Sequence, residues 1–291
     1  MKKIRFWSLF IAALLLLPAF VGCGGTGKTE TQSPETEEPK PEGIKLRVAT
    51  ANIGDFTGNK TPEVDPMVLK ATLDGMNADL VATQEDLGRI RHTKQQVKET
   101  LYTGFPYSER TGTGDYNYKA YLSKYELRDT KKVYYEVPEE LKKNVTHPWF
   151  LYTNINVEGI DVHFINIHVE WRDNETRLAQ FYFILDYIEE HNFEYCVVIG
   201  DFNPSNYKDG VYLGDDADIY KTDLQAFRDE MFKMANGGEF GEIDTILDSA
   251  GVSVCDNILV SHNINITGVE RVAEDWMNDH AFLIADLEIM K

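Results

Sequence analysis

Residues able to bind a hard cation or move a proton recur at the ends of apolar, strand-like runs. The run 46–51 ends in Asn52, 80–83 in Gln84-Glu85, 162–167 in His168 and 196–200 in Asp201-Phe202-Asn203, while Asp279-His280 immediately precede the last apolar run. Carboxylates suit a hard metal ion, imidazoles suit proton transfer near neutrality, and amides orient groups around them. Each has an ordinary structural reading when taken alone: an acid at a strand end is a turn or cap residue, and an Asn there bonds its own backbone. Polar groups gathered at one end of buried strands are also how a rigid scaffold presents a site, and the joint pattern points that way.

The elements that must carry these residues follow from hydrophobic periodicity. Strands are predicted over 45–51, 80–83, 119–122, 149–157, 162–167, 195–199, 257–260 and 281–289. A helix is predicted over 67–76, with Asp65-Pro66 as cap and first turn. The stripe Leu178, Phe181, Ile184, Leu185 and Ile188 predicts a second over 176–191, and 221–234 is a third. Many strands and few helices, intermixed, favour two packed sheets flanked by helices over a doubly wound parallel sheet. No Gly-rich phosphate loop is present. Residues 44–291 contain no second linker and no short repeat, so they read as one domain.

Of the 291 residues, 43% are hydrophobic and 26% charged, enough apolar material for a sizeable core. Acids outnumber bases 48 to 29, a net charge of -19. That excludes a broad cationic face for gripping nucleic acid, though a bound divalent metal can supply positive charge locally. Lys2, Lys3 and Arg5 precede an apolar run over 6–21 that is short for a membrane span. The layout is that of an export signal over residues 1–22. Phe20-Val21-Gly22-Cys23 resembles a lipobox, which makes Cys23 the expected lipidation site. Removing the three leader bases takes the charge from -19 to -22. Residues 23–43, rich in Thr, Glu, Pro and Lys, read as a flexible tether. Cys196 and Cys255 lie in apolar runs, where buried free thiols are the default and a bridge is the alternative.

The segments Thr50-Ala51-Asn52-Ile53, Gln84-Glu85, Gly200-Asp201-Phe202-Asn203, Asp256-Asn257-Ile258-Leu259-Val260-Ser261 and Asn278-Asp279-His280 occur in the order typical of the endonuclease/exonuclease/phosphatase superfamily, which the chain resembles over about residues 44–291. The resemblance implies a four-layer α/β/β/α sandwich of two mainly antiparallel sheets. It implies Glu85 as the main ligand of Mg²⁺ or Mn²⁺, with Asn52 beside it and Asp279 in support. It implies Asp201 as the group that orients and deprotonates a water. Asn203 would hold a phosphate oxygen or the nucleophile, and His280, fixed by Asp256, would contact the phosphate. His168 would protonate the leaving oxygen, and Arg177 and Gln180 would buttress the loop after it. Asn278 stands where many members have Ser, and residues 118–121 offer no acid to orient His168.

Other features read as follows. Lys124 is a surface residue. Asp215-Asp216-Ala217-Asp218 lacks the spacing of a calcium loop and reads as a solvated loop. The aromatics Tyr102, Phe105, Tyr107, Tyr116, Tyr118 and Tyr121 are either a substrate lip or ordinary packing. Trp171-Arg172 is a second candidate for substrate contact.

The expectation is an exported phosphoesterase, Mg²⁺-dependent and monomeric, lipid-anchored to a bacterial membrane at the outer membrane or cell surface. Its substrate would be a small, lipid-like or nucleic-acid phosphoester, attacked in line by water, and the membrane would be met only through the N-terminal lipid. The competing readings are a DNA or RNA endonuclease of the same family, a non-catalytic surface binding lipoprotein and a structural envelope lipoprotein.

Overall fold

The structure is a computed structural model that describes residues 43–54, 66–86, 99, 102–113, 117–205, 207–208, 210–212, 219–247, 253–277 and 279–291. Its architecture rests on two six-stranded sheets. The first has the order β13 (Ile264–Val272), β14 (Phe282–Ile289), β1 (Ile44–Asn52), β2 (Leu80–Gln84), β4 (Asn117–Ser123), β3 (Tyr107–Thr113). The second runs β11 (Lys233–Met234), β12 (Asp256–Val260), β8 (Cys196–Asp201), β7 (Ile160–His168), β6 (Trp149–Val157), β5 (Arg128–Tyr134). Each sheet has one parallel pair, β1 with β2 and β7 with β8, and is otherwise antiparallel. A small ribbon pairs β9 (Tyr207–Lys208) with β10 (Val211–Tyr212).

Side-chain alternation along the strands builds the layers. Leu46 and Val48 of β1, Ala82 of β2, Phe164 of β7, Ile199 of β8 and Ile258 of β12 share one buried core between the sheets. The opposite parity, Ala49 and Ala51 of β1 and Val81 of β2, packs with Leu69 and Leu73 of α1 (Pro66–Gly75). Ile165 and Ile167 of β7 and Val198 of β8 pack with Phe181 and Ile184 of α2 (Asn174–Glu190). The result is the expected four-layer α/β/β/α sandwich. Asp173 caps α2, its Oδ1 accepting from Thr176 N at 2.8 Å.

The predicted central strands and the first two helices are present with ends shifted by a few residues. The strands that hydrophobic pattern did not reveal include all four sheet edges, β3, β5, β11 and β13. Their sequences are polar, such as Arg128–Tyr134 with two lysines and an arginine. An edge strand packs one face and leaves the other in water, and charges there discourage pairing with another chain. The helix predicted over 221–234 is replaced by two single-turn helices, α3 (Ile219–Asp223) and α4 (Gln225–Asp229), followed by β11. Lys233 and Met234 pair with Val260 and Leu259 to finish the sheet edge, and that pairing overrides helix propensity. Cys196 and Cys255 are buried free thiols. Lys124 is a surface residue, donating to Asp79 Oδ1 at 3.1 Å. Asp65, residues 215–218, Tyr116, Asn278 and residues 1–42, which include Cys23, lie outside the described residues.

Gly200 shows what the close approach of β7 and β8 requires. Its φ is +138°, and an added Cβ would lie 2.2 Å from the Ile167 carbonyl oxygen. Gly200→Ala is expected to destabilise the domain by at least about 2 kcal/mol, because strained backbone and a steric clash act together. Thermal unfolding checks this: a fall of roughly 4–8 °C in Tm is expected, and an unchanged Tm would contradict the packing.

Candidate active site

The inward parity that builds the core continues past its apolar part and turns polar. Above Val48, Ala82 and Phe164 lies a buried layer of Thr50, Gln84 and Asn166. Thr50 Oγ1 donates to Gln84 Oε1 at 3.1 Å, and Gln84 Nε2 donates to Asn166 Oδ1 at 2.8 Å across the two sheets. Asn166 Nδ2 completes the link with the Thr83 and Ala120 carbonyls at 3.0 and 3.1 Å. Buried amides left without partners would be costly, so this layer fixes one sheet over the other. Gln84, half of the Gln-Glu motif, is therefore a crosslink beneath the site.

Two residues further along, the same parity delivers Asn52, His168, Asp201 and Asp256 to a common mouth. Asp201 lies in register between His168 of β7 and Asp256 of β12. From the opposite sheet, Asn52 Nδ2 is 3.1 Å from Asp201 Oδ2, 3.2 Å from Glu85 Oε1 and 3.5 Å from His280 Nε2. The amide thus joins two acids and an imidazole, and its Oδ1 accepts from Gly54 N at 3.1 Å. His280 Nδ1 bonds Asp256 Oδ2 at 2.8 Å, and its Nε2 faces Asp201 at 3.8 Å. Asn203 caps Asp201, its backbone N–H donating to Oδ1 at 2.9 Å, and its side chain donates to the Val169 carbonyl at 3.1 Å. Asp279 is exposed beside His280 and lines a small hollow with Asn52, Gly54 and Trp276.

Two of these residues sit in strained backbone. Glu85 has φ +50° and Asn203 φ +45°, left-handed values that cost a non-glycine residue about 1–3 kcal/mol and persist only where surroundings enforce them. The next residue, Asp86, supplies the enforcement at Glu85. Its buried carboxylate accepts from Thr83 Oγ1 at 2.8 Å, from the Tyr102 hydroxyl and from Arg110 Nε at 3.3 Å, while Arg110 Nη2 grips its carbonyl at 2.7 Å.

Burial splits the protonation states. Burial alone would lower His280, but the charge and hydrogen bond of Asp256, then Asp201 and Asp279, raise it to about 10, so it is a fixed cation. Burial, with Asp256 and Glu85 adding and His280 and the Asn203 N–H opposing, raises Asp201 to about 7. Burial, then His147, Lys119 and His280, hold His168 well below its ordinary value, so it is neutral. Lys119 stands in register with Gln84, in the stretch that lacks an acid. It lies 4.1 Å above the Trp149 ring and is lowered to about 7, chiefly by burial.

The loop after His168 is anchored as expected. Arg177 Nε and Nη2 meet Asp223 Oδ2 at 3.0 and 2.6 Å, and Nη1 holds the Glu170 carbonyl at 3.1 Å. Gln180 holds Glu170 N and the His147 carbonyl, each at 2.9 Å. That loop presents Trp171, which is exposed, with the Arg172 guanidinium 4.7 Å from its ring centroid. Of the aromatic-rich region, Tyr102, Phe105 and Tyr121 are buried packing, Tyr107 is exposed, and Tyr118 stacks under Arg110 at 4.2 Å.

Sequence reasoning missed Asp86, Lys119, Asn166 and His147. The signal that finds Lys119 and His147 is strand direction. Strands antiparallel to β1, β2, β7 and β8 open on the site with their beginnings, so residues at the starts of β4 and β6 belong to it as surely as those at the ends of β1 and β8.

The donor set fits a hard cation. One oxygen or nitrogen each from Asp201, Asp256 and His280 lies within 4.8 Å of the others, and Asp256 Oδ1 is buried with no hydrogen-bond partner. Glu85 adds a half-exposed carboxylate joined through Asn52. Oxygen-rich sets of this kind suit Mg²⁺.

No family model matches the chain, and no curated protein matches it. Solved structures match its fold. The endonuclease/exonuclease/phosphatase from Beutenbergia cavernae is 14% identical, with 85% of this chain and 72% of that one covered and a TM-score of 0.63. The endonuclease/exonuclease/phosphatase from Bacteroides vulgatus is 21% identical, with 84% and 99% covered and a TM-score of 0.59. D. rerio TDP2 complexed with a single strand DNA product is 14% identical, with 84% and 99% covered and a TM-score of 0.56. The fold is the sandwich of endonuclease/exonuclease/phosphatase proteins.

In metal-free buffer the His280 ring is expected to stay protonated at pH 8. Its raised value means the stability it brings is complete below pH 6.5 and is lost as pH rises through about 10. Asp256→Asn should return the ring to titration near or below its ordinary value and remove that loss. Histidine NMR and denaturant melts across pH 6–10 check both; a neutral His280 in the wild type at pH 8 would contradict the pairing.

Proposed function

We propose that the protein is a metal-dependent phosphoesterase that hydrolyses a phosphodiester or phosphomonoester by in-line attack of water. The observation that carries this reading is the meeting of Asn52, Glu85, His168, Asp201, Asp256 and His280 at one mouth from both sheets. Glu85, with Asn52 beside it and Asp201, Asp256 and Asp279 around it, would hold Mg²⁺ or Mn²⁺. Bound there, the ion polarises a phosphoryl oxygen and offsets developing negative charge.

The remaining work falls to the chain's own groups. Asp201, raised to about 7, is suited to take a proton from water near neutral pH. The Asn203 N–H occupies its Oδ1 at 2.9 Å, and Oδ2, which accepts one hydrogen bond from Asn52 Nδ2 at 3.1 Å, keeps its second lone pair for that proton. His280, a cation fixed by Asp256, attracts the phosphoryl oxygens through Nε2. His168 starts neutral. An entering phosphate anion counters the positive charges of His280 and Lys119 and lets His168 acquire the proton that it passes to the leaving oxygen.

The net charge of -19 favours a small or lipid-like phosphoester over a polyanion that needs many basic contacts. A second reading, nuclease, has one observation in its favour: the exposed Trp171 with Arg172 against it could stack a base. Export through residues 1–22, lipid attachment at Cys23, a membrane contact limited to that lipid and a monomeric state belong to the same proposal. A non-catalytic binding protein would have no need to keep the complete set.

The test uses the domain without residues 1–43, a generic phosphodiester, a phosphomonoester and plasmid DNA. Turnover should need Mg²⁺, stop with chelator, and fall about 10²–10⁴-fold in Asp201→Ala and His280→Ala. Absence of metal-dependent turnover on every substrate would overturn the enzyme reading, and cleavage of DNA alone would favour the nuclease.

A further inference from the structure

His168 reaches the mouth of the site with no hydrogen bond to its ring from any of the described residues. Its Nε2 lies 3.8 Å from Glu85 Oε1 and 3.7 Å from Asp201 Oδ2, both beyond bonding distance. An imidazole in that situation can turn about its last torsion, whose barrier is broad and low. A group that delivers a proton needs the opposite, a ring nitrogen aimed in one direction.

What does meet the ring is a second imidazole. His147 lies face to face with His168, the centroids 3.7 Å apart and the planes 22° from parallel, and both residues are buried. Burial, then Lys119 and Arg172, lower His147 to about 3, so the stack joins two neutral rings without charge repulsion. His147 is held from several sides. Gln180 Nε2 donates to its carbonyl at 2.9 Å, and Thr146 N donates to Glu170 Oε2 at 2.9 Å. Glu170 N in turn donates to Gln180 Oε1 at 2.9 Å. A single helix residue, Gln180, therefore ties the segment before β6 to the segment after β7, and sets the two imidazoles against each other.

We infer that His147 is a positioning residue whose ring is the plate that holds His168, fixing the direction in which Nε2 points across the mouth of the site. This deepens the proposed reaction and rests on His168 acting in it. His147 does not touch the substrate; it acts through its neighbour. The chemistry asked of it is a flat, uncharged face, which other aromatic rings can supply.

That requirement gives the test. In the full domain, His147→Ala should lower kcat about 10–100-fold with little change in KM, the cost of a misdirected proton carrier. His147→Phe should recover most of the loss. In a His168→Ala background, His147→Ala should add no further loss, because a residue acting only through its partner is not additive with it. Histidine side-chain NMR provides an arm that needs no turnover. The His168 ring signals should be single and ring-current-shifted in the wild type and His147→Phe, and broadened or doubled in His147→Ala. Additive losses in the double variant, or His168 signals unchanged by His147→Ala, would overturn the inference. A wild type without phosphoester turnover would instead overturn the reaction, and the NMR comparison would still decide whether His147 holds the ring.

Discussion

The site depends on an electrostatic constraint. Glu85, Asp201 and Asp256 are brought to one end of an apolar, low-dielectric core, where unpaired carboxylates are costly. The chain compensates with the Asn52 amide between Glu85 and Asp201, the His280 imidazolium on Asp256, and the Asn203 N–H on Asp201. The compensation is incomplete. Asp256 Oδ1 has no hydrogen-bond partner, and Asp201 is held near neutrality chiefly by its burial. A concentration of negative charge that the protein does not fully neutralise suits a hard cation, and that is the basis of the proposed metal site.

Holding the charges there requires rigidity from below. The Thr50, Gln84 and Asn166 layer locks the sheets together two residues beneath the mouth of the site. Asp86, gripped by Thr83, Tyr102 and Arg110, enforces the left-handed turn that presents Glu85. Arg177 and Gln180 do the same for the loop after His168. Strain at Glu85 and Asn203 is thus offset by buried networks on either side, a common division of labour between a site and its support.

Much of this was legible in the sequence, for a physical reason. Central strands bury both faces, so their apolar runs stand out, and a polar residue at the end of such a run marks where core gives way to site. Asn52, His168 and Asp201 were readable in that way, and Asp256 and His280 through the order of the motifs. The edge strands were not, because β5 and β13 carry charged, half-exposed sequences that mimic loops. Asp86 was hidden because a buried acid beside Glu85 looks like another solvated carboxylate until Arg110 and Tyr102 are seen to enclose it. His147 and Lys119 were hidden because they lie at strand beginnings, and strand direction is a property of the sheet rather than of any local segment.

The central claim is that the carboxylates at this mouth form a seat for a hard divalent cation. The most direct measurement is calorimetric titration of Mg²⁺ into the domain lacking residues 1–43, repeated with Glu85→Gln. The account predicts saturable binding in the wild type, accompanied by release of protons as Asp201 loses its elevated affinity for them, and weakened or lost binding in the variant. A wild type that binds no Mg²⁺, or a Glu85→Gln variant that binds it equally well, would contradict it.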